Sequence, residues 1–202
     1  MVRKGKNSLI LLSGGVDSTF MLYAYKEQIA EAIYFDYGGE CCSEEYKSAV
    51  FQCVLLDIPL TRIDIPMYYA PIKDGSLNDE NLEVPFRNGI FCSYAAQLMG
   101  QRGYDKLLVG FGEGYAEMYS DCSVRFSSTM SNALSVGLGR DIEIITPLGT
   151  TKEERLRYLY SNNVSASHLH VCIHDKPCRK CAKCKELDKA TEEIIKENEI
   201  NI

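Results

Sequence analysis

The stretch SLILLSGGVDST, residues 8–19, constrains this chain more than any other. A largely apolar run at 8–12 stops at Ser13, Gly14 and Gly15, and a helical pattern resumes at Val16 and Asp17. Two adjacent glycines let the backbone turn tightly and approach a ligand closely, because no Cβ intervenes. A strand that ends in such a turn and opens a helix presents free N–H groups and the positive end of the helix dipole to an anion. Leu12, Ser13, Gly14, Gly15, Val16, Asp17, Ser18 and Thr19 are therefore the candidate phosphate-binding residues, with the Ser13, Ser18 and Thr19 hydroxyls as further donors. No lysine follows the glycines, so this is not a Walker A loop. Asp17 beside a phosphate makes chemical sense chiefly as a holder of Mg2+ or of a water. The plainer alternative is a strand, a turn and a helix with an aspartate cap.

The rest of the chain repeats the alternation. Runs at 8–12, 31–37, 60–65, 106–112 and 142–148 are predicted strands, apolar on both faces as buried parallel strands are. Between and after them, 17–28, 43–57, 88–102, 151–161 and 186–198 are predicted helices. Phe91, Tyr94, Ala95, Leu98 and Met99 fall on one helical face by spacing. Strands alternating with helices imply an α/β fold, a doubly wound and mostly parallel Rossmann-like sheet. Residues 1–165 are read as the nucleotide-binding domain, and 166–202, with four closely spaced cysteines at 172–184, as a zinc-binding segment packed on it. The segment 66–86, with Pro66, Pro71, Gly75 and Pro85, is read as an irregular substrate loop.

With 202 residues, one substantial core is expected. A net charge of −6 excludes a broad basic nucleic-acid surface. No apolar stretch reaches membrane-spanning length, and the short run after the basic N-terminus does not make a signal peptide, so the expectation is a cytoplasmic protein.

Of nine cysteines, Cys172, Cys178, Cys181 and Cys184 crowd into CIHDKPCRKCAKC, while Cys41, Cys42, Cys53, Cys92 and Cys122 are scattered. Clustered thiols in a reducing compartment hold a metal more often than they form disulfides. Two interlocked C-x-x-C steps and an upstream cysteine supply the four thiolates that Zn2+ takes in a closed structural site. An iron–sulfur cluster is the competing metal group, and His168, His170 and His174 flank the set.

SGGVDST also resembles the SGGxDS loop of the N-type ATP pyrophosphatases, which belong to the adenine nucleotide alpha hydrolase-like fold. FDYG at 35–38, VPFRN at 84–88, YSDC at 119–122, ITPL at 145–148 and the C-terminal cysteines follow in an order similar to the 7-cyano-7-deazaguanine synthase family of queuosine biosynthesis. The resemblance implies ATP, Mg2+ and Zn2+ as cofactors and a homodimer. It implies adenylation of 7-carboxy-7-deazaguanine, then amidation by ammonia and conversion to the nitrile. Asp17, Ser13 and Arg87 then stand as catalytic candidates. Arg87, Asn88, Asp121 and Cys122 are substrate-binding candidates, and Tyr37 is a cofactor-binding candidate that could stack on a base. Asn88 also reads as a helix N-cap.

The chain departs from that family's usual pattern beside the expected pocket. Gly39, Glu40 and Cys41 stand where a Gln-Arg-His run is usual, and Ser123 follows the Asp-Cys pair where arginine is common. Divergent relatives are associated with antiphage defence, and that resemblance implies a protein amine as the alternative acceptor. A tRNA-modifying relative is the second alternative, although this acidic chain shows no RNA-binding extension.

Overall fold

The glycine pair does end a strand. The computed structural model describes residues 5–67, 84–111, 119–147 and 149–200, with side chains through 196. β1 (Ser8–Leu11) leads through 12–15 into α1 (Val16–Ala24). β2 (Ile29–Asp36), α2 (Cys42–Leu55) and β3 (Leu60–Asp64) follow. α3 (Arg87–Arg102), β4 (Lys106–Leu108), a 3-10 turn (Ser120–Cys122) and α4 (Val124–Leu138) come next. β5 (Glu143–Ile145), α5 (Lys152–Ser161), a second 3-10 turn (Ala166–His168) and α6 (Ala182–Ile200) complete the order.

The strands form one sheet in the order β3-β2-β1-β4-β5, and every neighbouring pair is parallel. Because side chains alternate along a strand, the sheet builds two cores. Ile10, Ala32, Tyr34 and Leu108 pack with residues of α1, α2, α5 and α6 on one face. Leu9, Ile33, Phe35 and Leu107 pack with α3 and α4 on the other. The expected doubly wound α/β sheet is therefore what forms. β1 lies at its centre, and the chain reverses direction across the sheet at β1 and β4. That reversal opens the crevice at the strand C-termini where such folds take ligands. Among the described residues, no helix is long and apolar enough to cross a membrane.

Three local expectations need correction. α3 buries Cys92, Ala95, Ala96 and Met99, so its inward face is turned from the predicted one, and Tyr94 lies 42% exposed. Small residues let this helix sit close to the sheet, and the aromatic rings fall to its margin. β3 and β5 are the edge strands and are only partly buried, unlike β1 and β2. α4 was not expected at all, since its sequence VRFSSTMSNALSVGL is rich in residues of modest helix propensity. Its start is fixed locally, where the Ser123 hydroxyl accepts from the Phe126 N–H at 3.1 Å. Most of the predicted 66–86 substrate loop lies outside the described residues.

Candidate active site

Gly14 takes φ +77° at the turn after β1. A Cβ there would lie 2.7 Å from both the Glu45 carbonyl oxygen and the Ser48 Cβ, so the position requires glycine twice over. Gly15 is the N-cap of α1 and supplies no side-chain acceptor, which leaves the first-turn N–H groups available to an external anion. Within the loop, the Ser13 N–H donates to Ser18 Oγ at 3.2 Å, and the two serine hydroxyls lie 3.1 Å apart. The Gly15 N–H points to Ser13 Oγ at 3.4 Å. The two serines thus brace the turn from inside.

The loop is also held from outside. The Ser48 hydroxyl sits between the carbonyl oxygens of Gly14 and His168, at 2.9 and 2.8 Å. Gln52 donates to the same His168 oxygen at 3.1 Å, and the His170 N–H donates to the Gly14 oxygen at 3.0 Å. From the far side, Gly110 follows β4 so closely that a Cβ there would lie 2.7 Å from the Ser18 nitrogen. The Asp17 carboxylate occupies the first turn of α1, and its Oδ1 accepts from the Arg155 guanidinium at 2.7 Å.

Some predicted loop residues cannot serve a ligand through their side chains. Thr19 is fully buried and its hydroxyl has no hydrogen-bond partner among the described residues, so it is a core residue and not a phosphate donor. Leu12 and Val16 are buried as well, and only their backbone belongs to the loop.

A second group gathers at the ends of β2 and α3. Arg87 is the first residue of α3, and its guanidinium lies 5.4 Å from the centre of the Tyr37 ring and donates to the Tyr37 hydroxyl at 3.4 Å. Burial works against the Arg87 charge, but Tyr37, Glu45, Asp121 and Cys122 outweigh it and raise its pKa. Asn88 is not the N-cap of α3. That position belongs to Phe86, a non-glycine residue at φ +60°. The acceptor comes instead from Asp121, whose Oδ2 takes the Asn88 N–H at 3.0 Å. The Asn88 side chain donates to the Asp121 carbonyl at 3.2 Å and contacts Cys122 Sγ at 3.4 Å. A carboxylate at a helix N-terminus is electrostatically favourable, and the contact fixes Asp121 and Cys122 beside Arg87. Burial and then Asp121 push the Cys122 thiol up to about 11, so it is a neutral thiol at physiological pH.

All five residues proposed for this half of the crevice are thus brought together: Tyr37, Arg87, Asn88, Asp121 and Cys122. Glu45 joins them, its pKa raised by burial against the opposing charges of Lys183 and Arg87. Sequence reasoning missed Glu45 and the loop braces Ser48, Gln52 and Arg155. Arg155 alone left a signal. It stands four residues before Leu159 and beside Leu156, so it falls on the buried stripe of α5, where a charge needs a partner.

The metal candidates also converge. The Sγ atoms of Cys172, Cys178, Cys181 and Cys184 all lie within 4.8 Å of one another, and the three flanking histidines are outside the set. Backbone N–H groups point at these sulfurs, from Cys178 to Cys172 at 3.3 Å and from Cys181 to Cys178 at 3.3 Å. Such donors stabilise thiolates, and the N–H groups of Cys181 and then Lys180 lower the Cys178 pKa to about 6. The donor set fits a zinc knuckle.

The sheet order, the loop after β1 and the helix it opens define an adenine nucleotide alpha hydrolase-like protein carrying a PP-loop. A solved structure of this fold is similar over most of this chain. It is the U34-tRNA thiolase NcsA from Methanococcus maripaludis with its [4Fe-4S] cluster, at TM-score 0.55 and 17% identity, covering 97% of this chain and 68% of that one. Within the class, the profile of the family described as "Queuosine biosynthesis protein QueC" matches residues 7–195, and the chain belongs to this family. Curated relatives agree. The 7-cyano-7-deazaguanine synthase of Caldicellulosiruptor bescii is 32% identical, with 93% of each chain covered. That of Aliarcobacter butzleri is 30% identical, covering 89% of this chain and 88% of the relative.

Proposed function

We propose that this protein uses ATP to activate a 7-deazaguanine carboxylic acid and then replaces the leaving AMP with nitrogen. The observation that carries the reading is the glycine turn opening α1, an anion cradle set in a chain that matches the QueC family over nearly its whole length. A carboxylate is a poor electrophile. Its oxygen attacks the α-phosphorus of ATP, pyrophosphate leaves, and the resulting acyl-adenylate offers a carbonyl with a good leaving group. An amine nitrogen then attacks that carbon and AMP departs with the oxygen, giving an amide. A second ATP adenylates the amide oxygen, and loss of AMP and two protons leaves the nitrile.

This chain's residues divide the work. The N–H groups at the start of α1, with Ser13 and Gly15, grip the phosphates. Asp17 would hold Mg2+, which would supply neutralisation of the phosphate charge. Arg87, its charge favoured by its neighbours, receives the substrate carboxylate, and Tyr37 and Glu45 flank the base. Cys172, Cys178, Cys181 and Cys184 would hold Zn2+, which would act as a staple for the C-terminal segment. The chain acts as a homodimer in this reading, which light scattering on the purified protein tests directly.

The decisive experiment incubates the protein with 7-carboxy-7-deazaguanine, ATP, Mg2+ and ammonia, and follows AMP, pyrophosphate and the mass of the products. We expect AMP formation that depends on the acid and is lost in D17N and in R87A. One ATP per product identifies an amide, or a conjugate when a protein amine is supplied; two identify the nitrile. Absence of acid-dependent AMP with every amine donor overturns the substrate, and ADP with orthophosphate overturns the adenylation.

A further inference from the structure

Arg155 is the most deeply placed guanidinium beside the loop, only 7% exposed, and nothing in the proposed chemistry uses it. Its Nε donates to Thr150 Oγ1 at 2.9 Å. One terminal nitrogen donates to the carbonyl oxygens of Thr150 and Pro147 at 2.6 and 3.1 Å, and the other donates to Asp17 Oδ1 at 2.7 Å. Three of these contacts fasten the arginine to the chain just after β5. The fourth reaches 138 residues back along the sequence, to the one carboxylate in the first turn of α1. A buried arginine is costly unless its donors are used, and here the fork is spread over four acceptors that fix its plane.

We propose that Arg155 is a positioning residue for the phosphate loop. It orients the Asp17 carboxylate toward the metal–nucleotide complex and ties it to the segment after β5. The inference rests on the reading that the loop takes ATP with Mg2+. An unrestrained aspartate at the mouth of a helix has several side-chain orientations, and only some can meet a metal beside the phosphates. Holding Oδ1 on a rigid guanidinium removes that freedom in advance and leaves Oδ2 with a fixed direction. A partner that orients a ligating carboxylate matters to the metal nearly as much as the carboxylate itself, and its loss weakens metal binding or activity on the order of 10- to 100-fold.

The test measures binding of α,β-methylene-ATP, which cannot release pyrophosphate, by calorimetry at fixed Mg2+ for wild type, R155M, R155K, D17N and R155M/D17N. Circular dichroism and thermal melting confirm that each variant is folded at the working temperature. We expect R155M to weaken binding about 10-fold or more. R155K, which keeps the charge and loses the fork, should recover part of it. Because Arg155 acts through Asp17, R155M should add nothing in the D17N background. In turnover, the Mg2+ concentration giving half the maximal rate should rise more than kcat falls. Wild-type affinity in folded R155M and R155K, or an equal loss from R155M in both backgrounds, overturns the proposal and makes Arg155 a fold residue. If R155M does not fold, R155K decides the matter against wild type. A wild-type protein that binds no nucleotide at all overturns the functional reading, and this inference with it.

Discussion

Gly14 shows how much one residue can be asked to do. Its left-handed backbone and the 2.7 Å approach of Glu45 and Ser48 act on the same atom, the Cβ it lacks. G14A should therefore cost about 1–3 kcal/mol in urea unfolding and weaken nucleotide binding, because the turn must open to accommodate the methyl. Gly14 and its loop were legible in the sequence because adjacent glycines after a strand have few physical explanations. Asp121 and Cys122 were found through a resemblance, and the true role of Asn88 was not found. The acceptor for its N–H lies 33 residues away, and no local pattern encodes that meeting. Cysteines carry a pH signature at the same scale. Burial first, with Asp121 adding to it, raises Cys92 to about 12 and Cys122 to about 11 from an ordinary value of 9.0. Above pH 9 the unfolded chain therefore loses these protons before the folded one does, and stability falls as pH rises from about 9 toward 11–12. Denaturation midpoints at pH 7.5, 9 and 10.5 should trace that fall, and C92A should flatten it.

The elements were read less evenly than the residues. Strong apolar runs at β1 and β2 declared themselves, since a strand buried on both faces has little room for polar residues. α4 did not, because Ser, Thr, Val and Gly suit several conformations and packing on the sheet decides between them. Its identity depends on the Ser123 cap and on Leu134 in the core beneath the sheet. S123A should cost about 1 kcal/mol, measured by chemical denaturation, because the Phe126 N–H loses its acceptor. The rotated face of α3 has a similar cause. Periodicity located the helix and gave an apolar stripe, but it could not tell a tight interface of Cys92, Ala95, Ala96 and Met99 from a bulkier one offset by about one residue.

At the scale of the whole molecule, the C-terminal segment is part of the same core, with α6 against α5 and its Leu187, Ala190 and Ile194 in the cluster that also holds Leu156 and Leu159. The glycine turn after β1 also leans on it, through the carbonyl of His168 and the N–H of His170. Chelating the metal, or C181S, should therefore loosen more than the knuckle. Hydrogen exchange should speed up in 166–184 and, to a smaller extent, at Gly14 and Gly15, while the β1 and β2 amides stay protected. Unchanged exchange at the glycines would separate the two sites. The same brace has a consequence for the ribosome. Ser48 must wait for a partner 120 residues further along, and Asp17 for one 138 residues further along. The glycine turn, made well before its braces, is thus among the last parts of this fold to acquire its final shape. A nascent chain that has assembled β1, β2 and β3 cannot complete this turn until Arg155 and His168 have also emerged.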